Sequence, residues 1–581
     1  MKCNILSFIL LLLAISAQAQ KQRFFNLTVE DVTIDSLLPH FTYAIPIGEN
    51  YADSTYQLEI RYPEFLDMSA VDISRYNKLS GMPLSSLPNI QQQMVVERKK
   101  GILEFSLVPI VERNGKKQFL VSFMIALTSK PRNARQVRAN RISTTGNTQL
   151  YANHSVLSSG KWAKIRVPAN GIYNLTTDVI RRAGFSDLSK VRIYGYGGNL
   201  QDERISSAYL KEYDDLKEVP SCFVGGKRLF YGRGPVSWDS NTATIRTRNH
   251  YSNYGYYFIT ESTEAPLTVD ANTFLTSVYP TADDYHSLHE IENYSWFPGG
   301  RRFFENTPIA VGKTQTYTLT NTAKASNGTL AIGVSAGKGR TSIQIEVNGE
   351  KKGELSMSTG EFDYGAEIER KYPLVGLHDV DSIKITTLSG GPARLDYVSI
   401  TYDKPRSAPN LTEGTFPVPE YVYNITNQDL HSHTPVDLVI IIPTSQKLLK
   451  QAQRLAAFHE QHDGIKVRIV PADEIFNEFS SGTPDAMAYR RYMKMLYDRA
   501  KTEAEIPKSL LLFGDCVWDN RMITPECRLL NTDDYLLAYE SDNSFSLTDC
   551  YINDGWYTLM DEGEAIIRQI KREGIKAVFT E

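Results

Sequence analysis

NITNQDLHSHTPVDLVIIIP, residues 424–443, sets the fold class of the carboxyl-terminal third of the chain. Val436 to Ile442 is a continuous apolar run, as expected of a strand buried on both faces of a parallel sheet. FHEQHDGIKVRIV (458–470), NEFSSGTPDAMAYRRYMKMLYDR (477–499) and SLLLFGDCVWDNR (509–521) follow, alternating helix and strand. Thr444 or Ser445 is placed to cap a first helix, with Leu448, Ala452, Leu455 and His459 on one face and Gly464 as its stop. Val467 to Val470 reads as the next strand. Thr483 then caps a second helix with Pro484 at its first position, and Tyr489, Tyr492, Met493 and Leu496 form its apolar face. Ser509 to Phe513 is a third strand. Short links between such elements call for right-handed parallel crossovers. Ligands meet sheets of this kind at the carboxyl ends of the strands. Gly514-Asp515, Asp519 and Asp533-Asp534 fall there, and they either hold a cation, orient a base or cap loops.

Working outward, 581 residues are too many for one core at roughly 100–200 residues per domain. Residues 20–128 carry period-two runs such as Tyr56-Gln57-Leu58-Glu59-Ile60 and read as a β-rich domain. A basic, proline-marked linker spans 129–160. Residues 161–269 form a second β-rich domain with a short helix from Thr177 to Ala183, stopped by Gly184. Gly195-Tyr196-Gly197-Gly198 lacks the spacing and the following helix of a phosphate loop, so a tight glycine turn is expected. Clean alternation in 270–405, for example Ser342 to Val347 and Ser382 to Thr386, indicates an antiparallel β-sandwich. Trp296 with Tyr294 and Phe297 is either a sugar platform or ordinary sandwich core, the second being favoured. Residues 406–434 read as a linker, 435–564 as the α/β segment and 565–581 as an aberrant tail.

The first 19 residues have the three parts of a cleavable export signal: Lys2, the apolar run Ile5 to Ile15, and Ala17-Gln18-Ala19. A formal charge of −4 with interspersed signs gives no case for nucleic-acid binding. Cys222, Cys516, Cys527 and Cys550 are too sparse for a disulfide framework. Cys516 and Cys527 can bridge a loop, but isolated buried thiols are the favoured reading. His459 and His462 flank Glu460 at a spacing of three, where a zinc helix needs four. His431 and His433 are read as surface histidines without a third ligand. Cys516 follows Asp515 and Cys550 follows Asp549, carboxylates that would raise each thiol pKa and blunt it as a nucleophile. No catalytic residue, cofactor or metal site is assigned.

KWAKIRVPANGIYNLT (161–176), VRIYGYGG (191–198), NITNQDLHSHTPVDLVIIIP, EFSSGTPDAMAYRRYMK (478–494) and LLLFGD (510–515) together resemble the gingipain-like cysteine peptidases, in the branch that serves as sortase of the type IX secretion system of Bacteroidota. The resemblance implies a caspase-like α/β fold with a His–Cys dyad. It implies an enzyme at the outer membrane that removes C-terminal sorting domains from exported cargo and passes the new carboxyl end to a lipopolysaccharide amine. Its partners would be outer-membrane attachment-complex proteins. The family's His, in a His-Gly context, and its Cys follow later strands, after the position of Asp561-Glu562-Gly563-Glu564. The expectation is therefore a truncated and inactive form, poorly folded after Leu510, with AIIRQIKREGIKAVFTE (565–581) foreign to the family and a frameshifted gene as its source. The alternative is a non-enzymatic cell-surface β-domain adaptor.

Overall fold

The structure, a computed structural model, describes residues 22–34, 38–48, 50–80, 83–97, 100–131, 150–337 and 339–560. The expected export signal, residues 132–149 of the first expected linker and the 565–581 tail lie outside the described residues. The chain divides into two compact units, Met1–Asn147 with Leu559–Glu581, and Thr148–Thr558.

In the first unit, Gln22–Asn26, Ser54–Asp67 and Ile110–Arg113 all pair antiparallel with the long strand Lys116–Pro131. Phe41–Gly48, Lys100–Leu107 and Gln91–Glu97 form a second antiparallel sheet. Alternate residues of both sheets, among them Leu58, Leu103, Phe105, Leu120, Phe123 and Ile125, meet in one core. The helix Ala70–Leu79 is capped by the Ser69 hydroxyl, which accepts from the Asp72 N–H, and it buries Tyr76 beside Ile110 and Phe119.

The second unit opens with the antiparallel sheet Val191–Tyr194, Gly255–Glu261, Trp162–Val167, Glu420–Ile425. Its last strand lies within the segment expected to be a linker. A three-stranded sheet of Ser221–Val224, Lys227–Gly232 and Gly171–Asn174 packs nearby, sharing Tyr173 and Phe230 with the first sheet's core. The sandwich follows as two four-stranded antiparallel sheets. Strand Asn327–Gly337 anchors one and strand Arg340–Val347 the other, and Leu330, Ile332, Ile343, Ile345, Ile383 and Val398 fill the space between. Trp296 and its neighbours are half-buried and lie outside that core. The Arg394 guanidinium covers the face of Tyr294 at 3.6 Å, and Trp296 donates from Nε1 to the Ser335 hydroxyl at 3.0 Å.

In the α/β segment, Leu438–Ile442 sits between Val467–Pro471 and Ser509–Leu512, parallel to both. Helix Leu449–His462 makes the first crossover. Its Ala452 and Ala456 pack on Leu438, Ile440 and Ile442, while strand alternation puts Val439 and Ile441 on the other face. The return passes through two helices, Ala472–Phe479 and Ala486–Arg499. The first of these was not foreseen, because its eight residues follow the strand without a turn. Both expected caps are displaced. The first helix starts at Leu449 with no side-chain cap, and the Ser445 N–H instead donates to the Asp533 carbonyl at 2.8 Å. Asp485, not Thr483, caps Ala486–Arg499 by accepting from the Met487 N–H at 2.9 Å. Thr483 donates to the Gly197 carbonyl at 3.0 Å.

Candidate active-site edge and the buried histidine clamp

With the first strand in the middle of a three-stranded parallel order, the first crossover carries the chain to one side of it and the second carries it back across to the other. The carboxyl ends of Leu438–Ile442 and Ser509–Leu512 therefore border the switch point where such sheets take ligands. Gly514 crosses there against Pro443, and a Cβ on it would come within 2.8 Å of the proline ring. The acidic residues expected at this edge serve as loop caps. Asp519, fully buried, accepts from the N–H groups of Arg521, Ile523 and Thr524 at 3.2, 2.7 and 2.7 Å. Asp534 pairs with Lys447 at 2.6 Å, and Asp515 accepts from the Cys516 N–H at 2.9 Å. Among the described residues, no group of three or more His, Cys, Asp or Glu is arranged to hold a metal ion.

Cys516 is half-buried and bridges to Leu536, which brings the segment Leu536–Glu540 along the sheet end. Burial, and then the Asp515 charge, push its thiol up. Cys550 is also pushed up, by burial and then by Glu540 rather than by Asp549. Cys222 and Cys527 are buried, and all four thiols are free. No thiol among the described residues is hydrogen-bonded to an imidazole.

Residues 513–558 pack closely, contrary to the expected loss of order after Leu510. Helix Ala486–Arg499 supplies the support. Tyr489 accepts at its hydroxyl from the Leu537 N–H and stands edge-on to Tyr557, whose own hydroxyl donates to the Leu537 carbonyl at 2.9 Å. Trp556 stacks on Tyr539 and lies under the Arg490 guanidinium. Trp556 and Tyr557 of this segment thus pack against that helix.

A buried charge cluster that the sequence reading does not anticipate lies away from the thiols. His431 is not on the surface; it is fully buried on the turn Leu430–Ser432. Its Nδ1 is 2.6 Å from Glu478 Oε2, its Nε2 is 3.3 Å from Asp214 Oδ1, and its ring stacks on Phe479 at 4.7 Å. Glu478, also fully buried, accepts in addition from the N–H groups of Leu430 and His431. Desolvation alone would lower the imidazole pKa. The hydrogen bonds to Asp214 and Glu478 and their charges outweigh it and raise the pKa to about 10. His431 is therefore a buried imidazolium held between two carboxylates. It joins the α/β segment to the domain that carries Asp214. His433, half-buried, shares a hydrogen bond with the Tyr492 hydroxyl at 2.9 Å, and burial pulls it down to about 4. His459 and His462 both bond Asp463 at 2.6 Å on the outer end of their helix. The one sequence signal for the clamp was Glu478 flanked by the aromatic residues Phe476 and Phe479.

The glycine turn 195–198 completes the joint. Ser481, at φ +57°, accepts at Oγ from the N–H groups of Tyr196 and Gly197 at 2.9 and 3.3 Å, and donates to the Tyr256 carbonyl at 2.9 Å. A Cβ on Gly195 would lie 2.5 Å from that hydroxyl, and Gly195 sits at φ +131°.

Residues 431–572 match the model of peptidase family C25, and dimeric latent PorU from Porphyromonas gingivalis is similar in structure at a TM-score of 0.58 and 27% identity. Residues 431–572 are thus a peptidase family C25 segment, in a chain that is PorU-like in structure. The PorU alignment covers 73% of this chain and 48% of PorU, so the chain spans about half the length of that protein. The C25 match runs past residue 565, into the tail expected to be foreign. A family 35 carbohydrate-binding module from Clostridium thermocellum aligns over 20% of this chain and 87% of the module, at 20% identity and a TM-score of 0.15, too slight a likeness to bear on function. No curated protein sequence matches.

Proposed function

We propose that this chain is the scaffold of a type IX secretion sortase: a cysteine peptidase and transpeptidase exported by a cleavable signal to the outer-membrane surface. There it recognises the C-terminal sorting domains of secreted cargo, works with outer-membrane attachment proteins, and delivers cargo to lipopolysaccharide. The observation that carries this reading is the parallel sheet of a C25-matching segment, set in a chain that resembles PorU along most of its length. In such a reaction a thiolate attacks the scissile carbonyl, an imidazolium protonates the leaving amine, and an acceptor amine resolves the thioester.

On this reading the reacting pair is not among the described residues. Cys516 and Cys550 are pushed up by burial and have no imidazole partner, and His431 is committed to Glu478 and Asp214. The test is incubation of the purified chain with a cargo protein bearing its sorting domain. Binding without cleavage is the expected result. Cleavage that disappears in Cys516→Ala or Cys550→Ala would show that one of these thiols is the nucleophile and would refute the reading.

A further inference from the structure

Lys164 sits in the strand Trp162–Val167 with only 5% of its surface exposed. Its Nζ has three donors and, among the described residues, one hydrogen-bond acceptor, Oδ1 of Asn477 at 3.2 Å. The rings of Tyr256, Tyr423 and Phe258 surround it at 4.6, 5.8 and 5.9 Å. Its stem runs over Gly482, where a Cβ would come within 2.7 Å of Lys164 Cε. An ammonium so enclosed and so poorly paired is costly, whereas a neutral nitrogen is not. Burial accordingly draws this amine down to about 8.

Asn477 is 1% exposed and its Nδ2 donates to Gln428 Oε1 at 2.9 Å, which fixes the plane of the amide. Asp473 lies four residues earlier on the same helix, hence on the same face. Among the described residues its Oδ1 is buried without a hydrogen-bond partner, its charge acts on Lys164, and burial pushes its carboxyl pKa up. An amine and a carboxamide thus meet at 3.2 Å in an aromatic-lined niche, with a carboxyl whose pKa burial raises one helical turn away.

We propose that Lys164 and Asn477 become joined by an intramolecular isopeptide bond, with Asp473 as the acid, cross-linking the sheet of residues 161–269 to the α/β segment. The neutral Lys164 Nζ attacks Cγ of Asn477 while Asp473 protonates Oδ1. The tetrahedral intermediate collapses with loss of Nδ2 as ammonia, Asp473 relaying the proton released by the lysine nitrogen. One N–C bond forms, one breaks and one NH₃ leaves, with no oxidant, metal or cofactor.

The full chain is expressed, digested, and its peptides analysed by mass spectrometry under reducing conditions. The expected result is a branched peptide joining the Lys164 and Asn477 segments, lighter by one ammonia than the two together. Lys164→Arg and Asn477→Ala abolish it. Asp473→Asn, which keeps size and shape, leaves the segments separate in a chain that still unfolds cooperatively. Recovery of Lys164 and Asn477 only in separate peptides from folded wild-type chain overturns the proposal. A branched peptide undiminished in Asp473→Asn overturns it equally, because the bond would then form without the acid.

Discussion

Replacing His431 by alanine should destabilise the Thr148–Thr558 unit more than any surface change, and the size of the effect follows from the clamp. The ring is fully buried, and its removal strands Glu478, itself fully buried, and Asp214 without their cation. Breaking a buried ion pair by deleting one partner costs about 3–5 kcal/mol. An independent route gives a similar size. A histidine pKa raised from 6.5 to about 10 corresponds to at most about 5 kcal/mol of stabilisation when the ring is charged. The sign is fixed by the direction of the shift. A group with a raised folded-state pKa gives its full contribution below the unfolded value near 6.5 and loses it as pH rises through about 10. Urea unfolding of wild type and His431→Ala at pH 6, 8 and 10 should therefore show a wide gap at pH 6 that narrows steadily to pH 10. Glu478→Gln tested alone and with His431→Ala should show strong coupling between the two sites. A His431→Ala cost below about 1 kcal/mol at pH 6, or a gap independent of pH, would refute the imidazolium assignment.

Burial pushes the Asp485 carboxyl up to about 7, so its contribution to stability falls as pH rises from about 4 to 7. Asp485→Asn keeps the cap and should flatten that part of the unfolding profile, whereas Asp485→Ala should cost about 1–2 kcal/mol in denaturant melts. Asp519→Ala leaves three N–H groups, two of them buried, without their acceptor and should cost at least about 2 kcal/mol, with faster proteolysis between residues 513 and 558 as the readout. Gly482→Ala places a methyl against Lys164 and Phe258 at φ +74° and should destabilise by more than about 1 kcal/mol, measured by thermal unfolding. Iodoacetamide should label Cys516 and Cys550 slowly at pH 7 and faster only well above pH 9, because both thiols are pushed up from their ordinary value.

The sandwich and the parallel sheet were legible because their signals are local. Alternation in Ser342 to Val347 and the continuous apolar run ending at Ile442 each report how many faces of a strand are buried. The caps were displaced by two to four residues because Ser445 and Thr483 had better partners elsewhere, Asp533 and Gly197, which no window of sequence contains. The helix Ala472–Phe479 escaped notice for a related reason: one face meets Lys164 and another Glu478's clamp, so its polar residues are buried and its periodicity is blurred.

The sequence by itself determined the element types, the parallel crossovers and the resemblance to a peptidase family, since backbone preference and apolar period are carried by neighbouring residues. Only the tertiary structure decided the ionic and chemical roles. His431 became an imidazolium because Asp214, more than two hundred residues earlier, was brought to its Nε2. Lys164 became a poorly paired amine because residues 256, 423 and 477 closed around it. Charge state depends on desolvation and on partners through space, and neither is a property of a segment.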